Sequence, residues 1–420
     1  MLSLFRSQMV RNTGKLLSAN VIAQAIGLLV YPLLTRIYAP EDFGLFNLFV
    51  SIGGVAVLIA TGNYQNAIVL PKREETARGL VHLSALITAA TVLLLILSIP
   101  FAHPIAGLFK SPDLATYYWL LPFYVLLASI WNVLNYWYLR HQAYDRISGY
   151  QVSQSLFSAA YKTGFGYAGW LRGGLISAAV LSPLCSLILS VFSARKYLKP
   201  LLQFDGNECR QAAAQYSNFP KFALPHSVLN YVASQLPVLL LTPLFSAREV
   251  GFWSMAILLS FAPISLITNA IHQVFFQRTT EHVNARLSIA PFYRRFTLAS
   301  LAIISPFFAG LWFVLPDLTQ WLLGDEWSVS GRYIRWMLPW LLCMFLCAST
   351  GYLYDVFARQ RSGLFFEIAM SVARLIGLGV GICYDSFELA IAGYAVAGAI
   401  VNGAQYIWLM HLVRRYERSL

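Results

Sequence analysis

Residues 33–44 read LLTRIYAPEDFG, closing a long apolar run that begins near Leu16 and carrying the helix-ending Pro40 and Gly44. Arg36 stands beside two acids, Glu41 and Asp42. The stretch recurs 207 positions later as LLTPLFSAREVG, residues 240–251, where Leu241-Thr242 answers Leu34-Thr35 and Gly251 answers Gly44. A second echo supports a duplication: Trp119-Leu-Leu-Pro122 matches Trp336-Met-Leu-Pro339, and each lies in an apolar segment that runs on to a basic one, LRHQAY or FARQRS.

The apolar content decides the class. Of 420 residues, 58% are hydrophobic and 11% charged, with a mean hydropathy of +0.60, far from soluble domains. The chain reads as an all-α integral membrane protein of about twelve spans, each needing roughly 20 residues. Apolar windows place them near 14–37, 43–65, 80–101, 116–138, 149–170 and 174–194, then 220–243, 252–275, 297–316, 335–356, 363–384 and 388–411. An even count per half implies two pseudo-symmetric six-helix lobes of one orientation around a central cavity. The domains are then 1–200, a cytoplasmic linker over 201–218, and 219–420.

The net charge of +12 is an orientation signal and not a sign of nucleic acid. With the N-terminus inside, most of the 30 basic residues fall in cytoplasmic segments, leaving Arg36, Lys110, Arg172, Arg248, Arg332 and Arg335 outside. Both termini are therefore expected in the cytoplasm. Leu2, Phe5 and Met9 share a face that suits the membrane surface. The N-terminal apolar segment is too long for a signal-peptide core and is read as retained. Five cysteines, four of them in apolar runs, argue against a disulfide framework. Cys343 and Cys347 stand one helical turn apart, a spacing read as packing and not as a metal site. No nucleotide-binding loop, metal cluster or nucleophile elbow is present, so neither a cofactor nor covalent chemistry is expected.

Ionisable and polar residues inside spans carry the functional hypotheses. Lys162 lies roughly 20 Å into the fifth span, with Gln151, Gln154, Ser155 and Ser158 below it at spacings of three and four. Arg374 occupies a similar depth in the eleventh, sharing a face with Glu367 and Ser371. Each cation is read either as an anion-binding group or as a partner of a buried carbonyl or carboxylate, such as Glu367 for Arg374. Further polar stripes run along the first span (Asn20, Gln24, Tyr31, Thr35), the second (Asn47, Ser51) and the seventh (His226, Asn230, Ser234). They suit either interhelical hydrogen bonds or a hydrated cleft. His226 and Glu367 are candidates for ion coupling, while Asp355 reads as a pair with Arg359. Arg36 is either an interfacial partner of Glu41 or Asp42, or a cation at the outer mouth. Prolines such as Pro32, Pro183, Pro237, Pro263 and Pro339 mark kinks or bending points.

The opening run NTGKLLSANVIAQAIGLLVYPLLTRIYAPEDFGLFNLF, followed by NAIVLPKREE, resembles the oligosaccharide (O-antigen and capsular polysaccharide) flippases. These belong to the superfamily of multidrug, oligosaccharidyl-lipid and polysaccharide exporters. The match is to Thr35, Arg36, Tyr38, Glu41, Asp42, Phe43 and Gly44. The resemblance implies movement of an undecaprenyl-pyrophosphate-linked oligosaccharide across the bacterial inner membrane by rocking between inward-open and outward-open states. It also implies no ATP, coupling to an ion gradient as in an antiporter, and partners among membrane lipid, polysaccharide polymerase and chain-length machinery. The early-span arginines of the peptidoglycan-precursor branch are missing, which weighs against lipid II. Lys162, Arg374 and Arg36 would then meet the pyrophosphate, and Asn20, Gln24, Gln154, Ser158 and Asn230 the sugars. A multidrug exporter would want acids in its cavity, and a polymerase or ligase a large external loop with catalytic residues. The longest external connection, near 317–334, offers Asp317, Asp325 and Glu326.

Overall fold

The computed structural model describes residues 2–357, 359–418 and 420; the side chains of residues 2–13, 16, 17, 269, 270, 273, 274, 277, 284, 355 and 360 are outside the description. The surface face expected of Leu2, Phe5 and Met9, and the Asp355–Arg359 pair, therefore lie outside the described residues.

Among the described residues all regular structure is helical. Twelve long helices form in the expected order: α1 Leu2–Leu34, α2 Pro40–Ala60, α3 Glu74–Leu97, α4 Leu121–Arg140, α5 Tyr144–Tyr167, α6 Leu171–Ser193, α7 Leu224–Leu244, α8 Ala247–Asn284, α9 Ala290–Leu323, α10 Ser328–Thr350, α11 Gln360–Cys383 and α12 Phe387–Glu417. Among the described residues ten segments are long and apolar enough to cross a membrane, which makes this a multi-pass membrane protein. Over its described side chains α1 contributes the apolar piece Ser18–Leu34, and α5 is not among the ten. The polar stripe of α5 lowers its hydropathy, and α1 and α5 pack against each other.

Local chemistry sets the helix starts. Pro40 opens α2 with its fixed φ, and the Asp42 carboxylate three residues in accepts the Ala39 N–H at 3.0 Å. Ser386 caps α12 by accepting the Leu389 N–H. Some helices outrun the expected spans: α8 is 38 residues and α9 is 34. The region read as an external loop near 317–334 is mostly helix, because α9 continues to Leu323 and Asp325–Trp327 adds a further turn.

Two compact units emerge, Met1–Gly251 and Phe252–Leu420. The division falls later than residues 201–218 because α7 packs on α2. Gln235 donates to the Ser51 hydroxyl at 3.1 Å, and Gly54 leaves room for the Tyr231 ring. In the first unit α5 pairs with α6 and α3 with α4; in the second α11 pairs with α12 and α9 with α10. These matching pairs are what a duplicated chain should give. The second unit holds a buried hydroxyl cluster in which Thr279 meets Tyr293 at 2.7 Å and Tyr293 meets Tyr352.

The segment 201–218, read as a linker, is more than a connection. Its helix Gly206–Gln215 lies on α3. The Arg78 guanidinium grips both oxygens of the Glu208 carboxylate and reaches the Gln203 amide oxygen at 3.1 Å. Both charged side chains are mostly covered, at 15% and 13% exposed. Gly79 admits this approach, since a Cβ there would meet the Glu208 backbone. Arg78→Met strands the carboxylate and is expected to cost about 2–3 kcal/mol, read as a lower thermal midpoint of the purified protein. Glu208→Gln, which keeps an acceptor, should cost less. An unchanged midpoint in both would show that the contact holds nothing.

Candidate functional site

The turn that closes α1 braces the helix that carries a polar site. Tyr38, 1% exposed, donates its hydroxyl to the Lys162 carbonyl at 2.6 Å. Burial, and then the nearby Asp42 carboxylate, push this hydroxyl up to about 12, so it remains a donor at neutral pH. Gly166 lets the Tyr38 ring approach α5, because a Cβ there would press on Tyr38 and Ile37. The turn thus fixes the stretch of α5 that presents Lys162.

A cavity of about 290 Å³ lies between α1 and α5, lined by Asn20, Gln24, Tyr31, Gln151, Gln154, Ser155, Ser158 and Lys162 together with small and apolar neighbours. From Gln151 to Lys162 it follows eleven residues of α5, roughly 16 Å of helix. Ser155 ties the walls together by donating to the Ala23 carbonyl at 2.7 Å. Gln24 donates to the Asn20 side-chain oxygen at 3.2 Å, while the amide oxygens of Gln24 and Gln151 are buried without a protein donor. A flank of α5 beside this polar face is an aromatic ladder in which Phe157 stacks on Tyr161 and Tyr161 on Phe165. A two-faced helix of this kind explains why its overall hydropathy is low.

The Lys162 ammonium lies 5.1 Å from the Phe46 ring centre on α2 and 5.9 Å from that of Tyr31 on α1. Such contacts contribute about 0.5–2 kcal/mol to holding a cation. Among the described residues no carboxylate pairs with Lys162, and the lining contains no acid. The reading of Lys162 as partner of a buried carboxylate therefore fails.

Arg374, in the second unit, has a different setting. Its guanidinium carbon is 4.9 Å from the Trp340 ring centre and 4.6 Å from that of Tyr394, and its Nε is buried with no hydrogen-bond partner. Gly398 makes room for the Trp340 ring, and Tyr394 meets Trp253 edge-on. The expected Glu367–Arg374 pair does not form among the described residues: Glu367 is exposed, and its carbonyl accepts from Ser371 at 3.0 Å. Two helical turns on one face place these residues in line without bringing their long side chains to meet. Arg36 is exposed and is not the partner of the acids in its turn, since Glu41 pairs with Arg248 at 3.2 Å and Asp42 caps Ala39. His226 and Asn230 are exposed on α7 and take no part in the α1–α5 cavity. Among the described residues no cluster of His, Cys, Asp or Glu could hold a metal; Cys347 instead lies 3.0 Å from the Asn402 carbonyl.

A family profile described as "Polysaccharide biosynthesis protein" matches residues 33–331. The chain belongs to this family. The match begins at LLTRIYAPEDFG, the stretch that also carries the sequence resemblance to polysaccharide flippases. Among curated relatives, the succinoglycan biosynthesis transport protein ExoT of Rhizobium meliloti (strain 1021) is 20% identical over 395 residues, covering 94% of this chain and 74% of that protein. Among solved structures, the lipid II flippase MurJ in an inward closed conformation superposes with a TM-score of 0.72 at 14% identity, covering 94% of this chain and 86% of that one. An inward-facing multidrug resistance transporter of the MATE family gives 0.70 at 14% identity, covering 96% and 95%. The fold of this family member is thus that of the exporter superfamily expected from the sequence.

Phe46, Trp340 and Tyr394 were not singled out by sequence reasoning. Each is an aromatic in an apolar helix and carries no periodic signal of its own. Trp340 does follow directly on the repeated WMLP motif.

Proposed function

We propose that this protein is a flippase that carries an undecaprenyl-pyrophosphate-linked oligosaccharide from the cytoplasmic to the periplasmic leaflet of the inner membrane by alternating access, driven by an ion gradient. The observation that carries the reading is Lys162, a cation with no carboxylate partner among the described residues, at the end of a polar cavity inside a membrane protein of a polysaccharide biosynthesis family. A pyrophosphate and its sugars meet about 30 Å of hydrocarbon, where each unpaired polar group costs several kcal/mol. A lysine ammonium supplies three donors to phosphate oxygens, and a wall of Asn, Gln and Ser exchanges hydrogen bonds with sugar hydroxyls. At about 290 Å³ the cavity suits the headgroup and its first sugar, while the polyprenyl tail stays in the bilayer. Arg374, cradled by Trp340 and Tyr394, is a second cation for the same anion at another stage of transport.

A drug exporter for cationic compounds would need an acid where Lys162 stands, and a polymerase would need a large external loop with catalytic groups. Deleting the gene should leave lipid-linked oligosaccharide on the cytoplasmic leaflet, and the wild-type gene should clear it. A deletion strain that exports the glycan normally would refute the proposal.

A further inference from the structure

We propose that a second cavity, between the start of α9 and the end of α12, binds the headgroup of an anionic phospholipid. The cavity measures about 680 Å³, and it is lined by Arg294, Arg295 and Arg414 together with the apolar Leu298, Met410 and Val413. Among the described residues none of the three arginines forms a salt bridge. The one acid that lines it, Glu417, is already engaged: its carboxylate accepts the N–H groups of Ile289 at 2.6 Å and Ala290 at 2.8 Å, and the Ser288 hydroxyl at 3.0 Å. Three planar guanidinium groups around one opening match a phosphodiester, which accepts paired N–H donors.

The position along the helix selects a lipid over a free anion. One and two turns beyond Arg294, on the same side of α9, the apolar Leu298 and Leu301 are 57% and 40% exposed. A ligand held by the arginines can therefore lay acyl chains along this face, at the helix ends where the basic residues mark the anionic inner leaflet. The site shares no residue with the α1–α5 cavity, and the inference does not depend on the transported substrate.

The test is retention of phosphatidylglycerol by the full chain, purified from vesicles of phosphatidylcholine doped with phosphatidylglycerol and read by native mass spectrometry. Wild type should keep phosphatidylglycerol in preference to phosphatidylcholine, and inorganic phosphate should not displace it. Replacing all three arginines by glutamine should weaken retention about a hundredfold, at roughly a factor of five for each charge, whereas the triple lysine variant, which keeps the charge and loses the paired donors, should fall between wild type and the glutamine variant. Should the triple glutamine variant fail to fold, Arg295→Gln alone should still show its fivefold loss. Equal retention of the two lipids, displacement by phosphate, or wild-type retention in the glutamine variants would overturn the assignment.

Discussion

Lys162→Met is expected to lower transport of lipid-linked oligosaccharide by about tenfold to a hundredfold while the protein folds and inserts as before. The magnitude is that of one charge-assisted hydrogen bond to a phosphate, about 1.5–3 kcal/mol. Folding should survive because the ammonium points at a cavity and two aromatic rings, not at a carboxylate whose charge would be left uncompensated. Methionine keeps the length and the apolar stem of lysine, so a loss isolates the charge. Lys162→Arg should retain part of the activity. The assay is clearance of lipid-linked oligosaccharide from the cytoplasmic leaflet in a deletion strain, at matched protein levels. Full clearance by Lys162→Met would remove the cation from the mechanism.

The second large effect belongs to the paired turns. A Cβ at Gly44 would overlap the Ala247 carbonyl, and a Cβ at Gly251 would overlap the Pro40 carbonyl. The starts of α2 and α8 therefore cross backbone to backbone, each glycine seated on the other turn, with Glu41 and Arg248 bridging beside them. The exposed bridge contributes at most about 1 kcal/mol; the close crossing depends on the absent side chains. Gly44→Leu should force the two helix starts apart, an overpacking cost of about 1–3 kcal/mol. It should both abolish transport and open Ala247→Cys to an impermeant thiol reagent. Gly310→Ala, where a Cβ meets nothing within 4 Å, is the control and should leave transport intact. Unchanged labelling and normal transport in Gly44→Leu would show that the crossing can open without cost.

Periodicity and charge made much of this legible. The spacing of Asn20 and Gln24 on α1 and of Gln151, Gln154, Ser155, Ser158 and Lys162 on α5 identified two polar faces, and the fold brings them to one cavity. Repetition of LLTRIYAPEDFG exposed the duplication, because a glycine needed for backbone contact is retained in both copies. What sequence could not show was which side chains meet across distant helices. Glu367 and Arg374 share a face but do not pair, since Arg374 is drawn to the rings of Trp340 and Tyr394, the latter twenty residues further on. Arg36 was read beside Glu41, yet Glu41 reaches Arg248 from the second turn. The docking of Gly206–Gln215 on α3 was hidden in a polar stretch whose only sequence cue is the Asp205 cap. Aromatic contacts such as Phe46 to Lys162 obey no spacing rule, because they join helices that are far apart in the chain.

The most direct test of the account is transfer of a fluorescent undecaprenyl-pyrophosphate-linked oligosaccharide across vesicles containing only the purified protein, with and without an imposed ion gradient. The account predicts gradient-dependent transfer by wild type that falls at least tenfold in Lys162→Met. Transfer no faster than in protein-free vesicles, or equal rates for wild type and Lys162→Met, would contradict it.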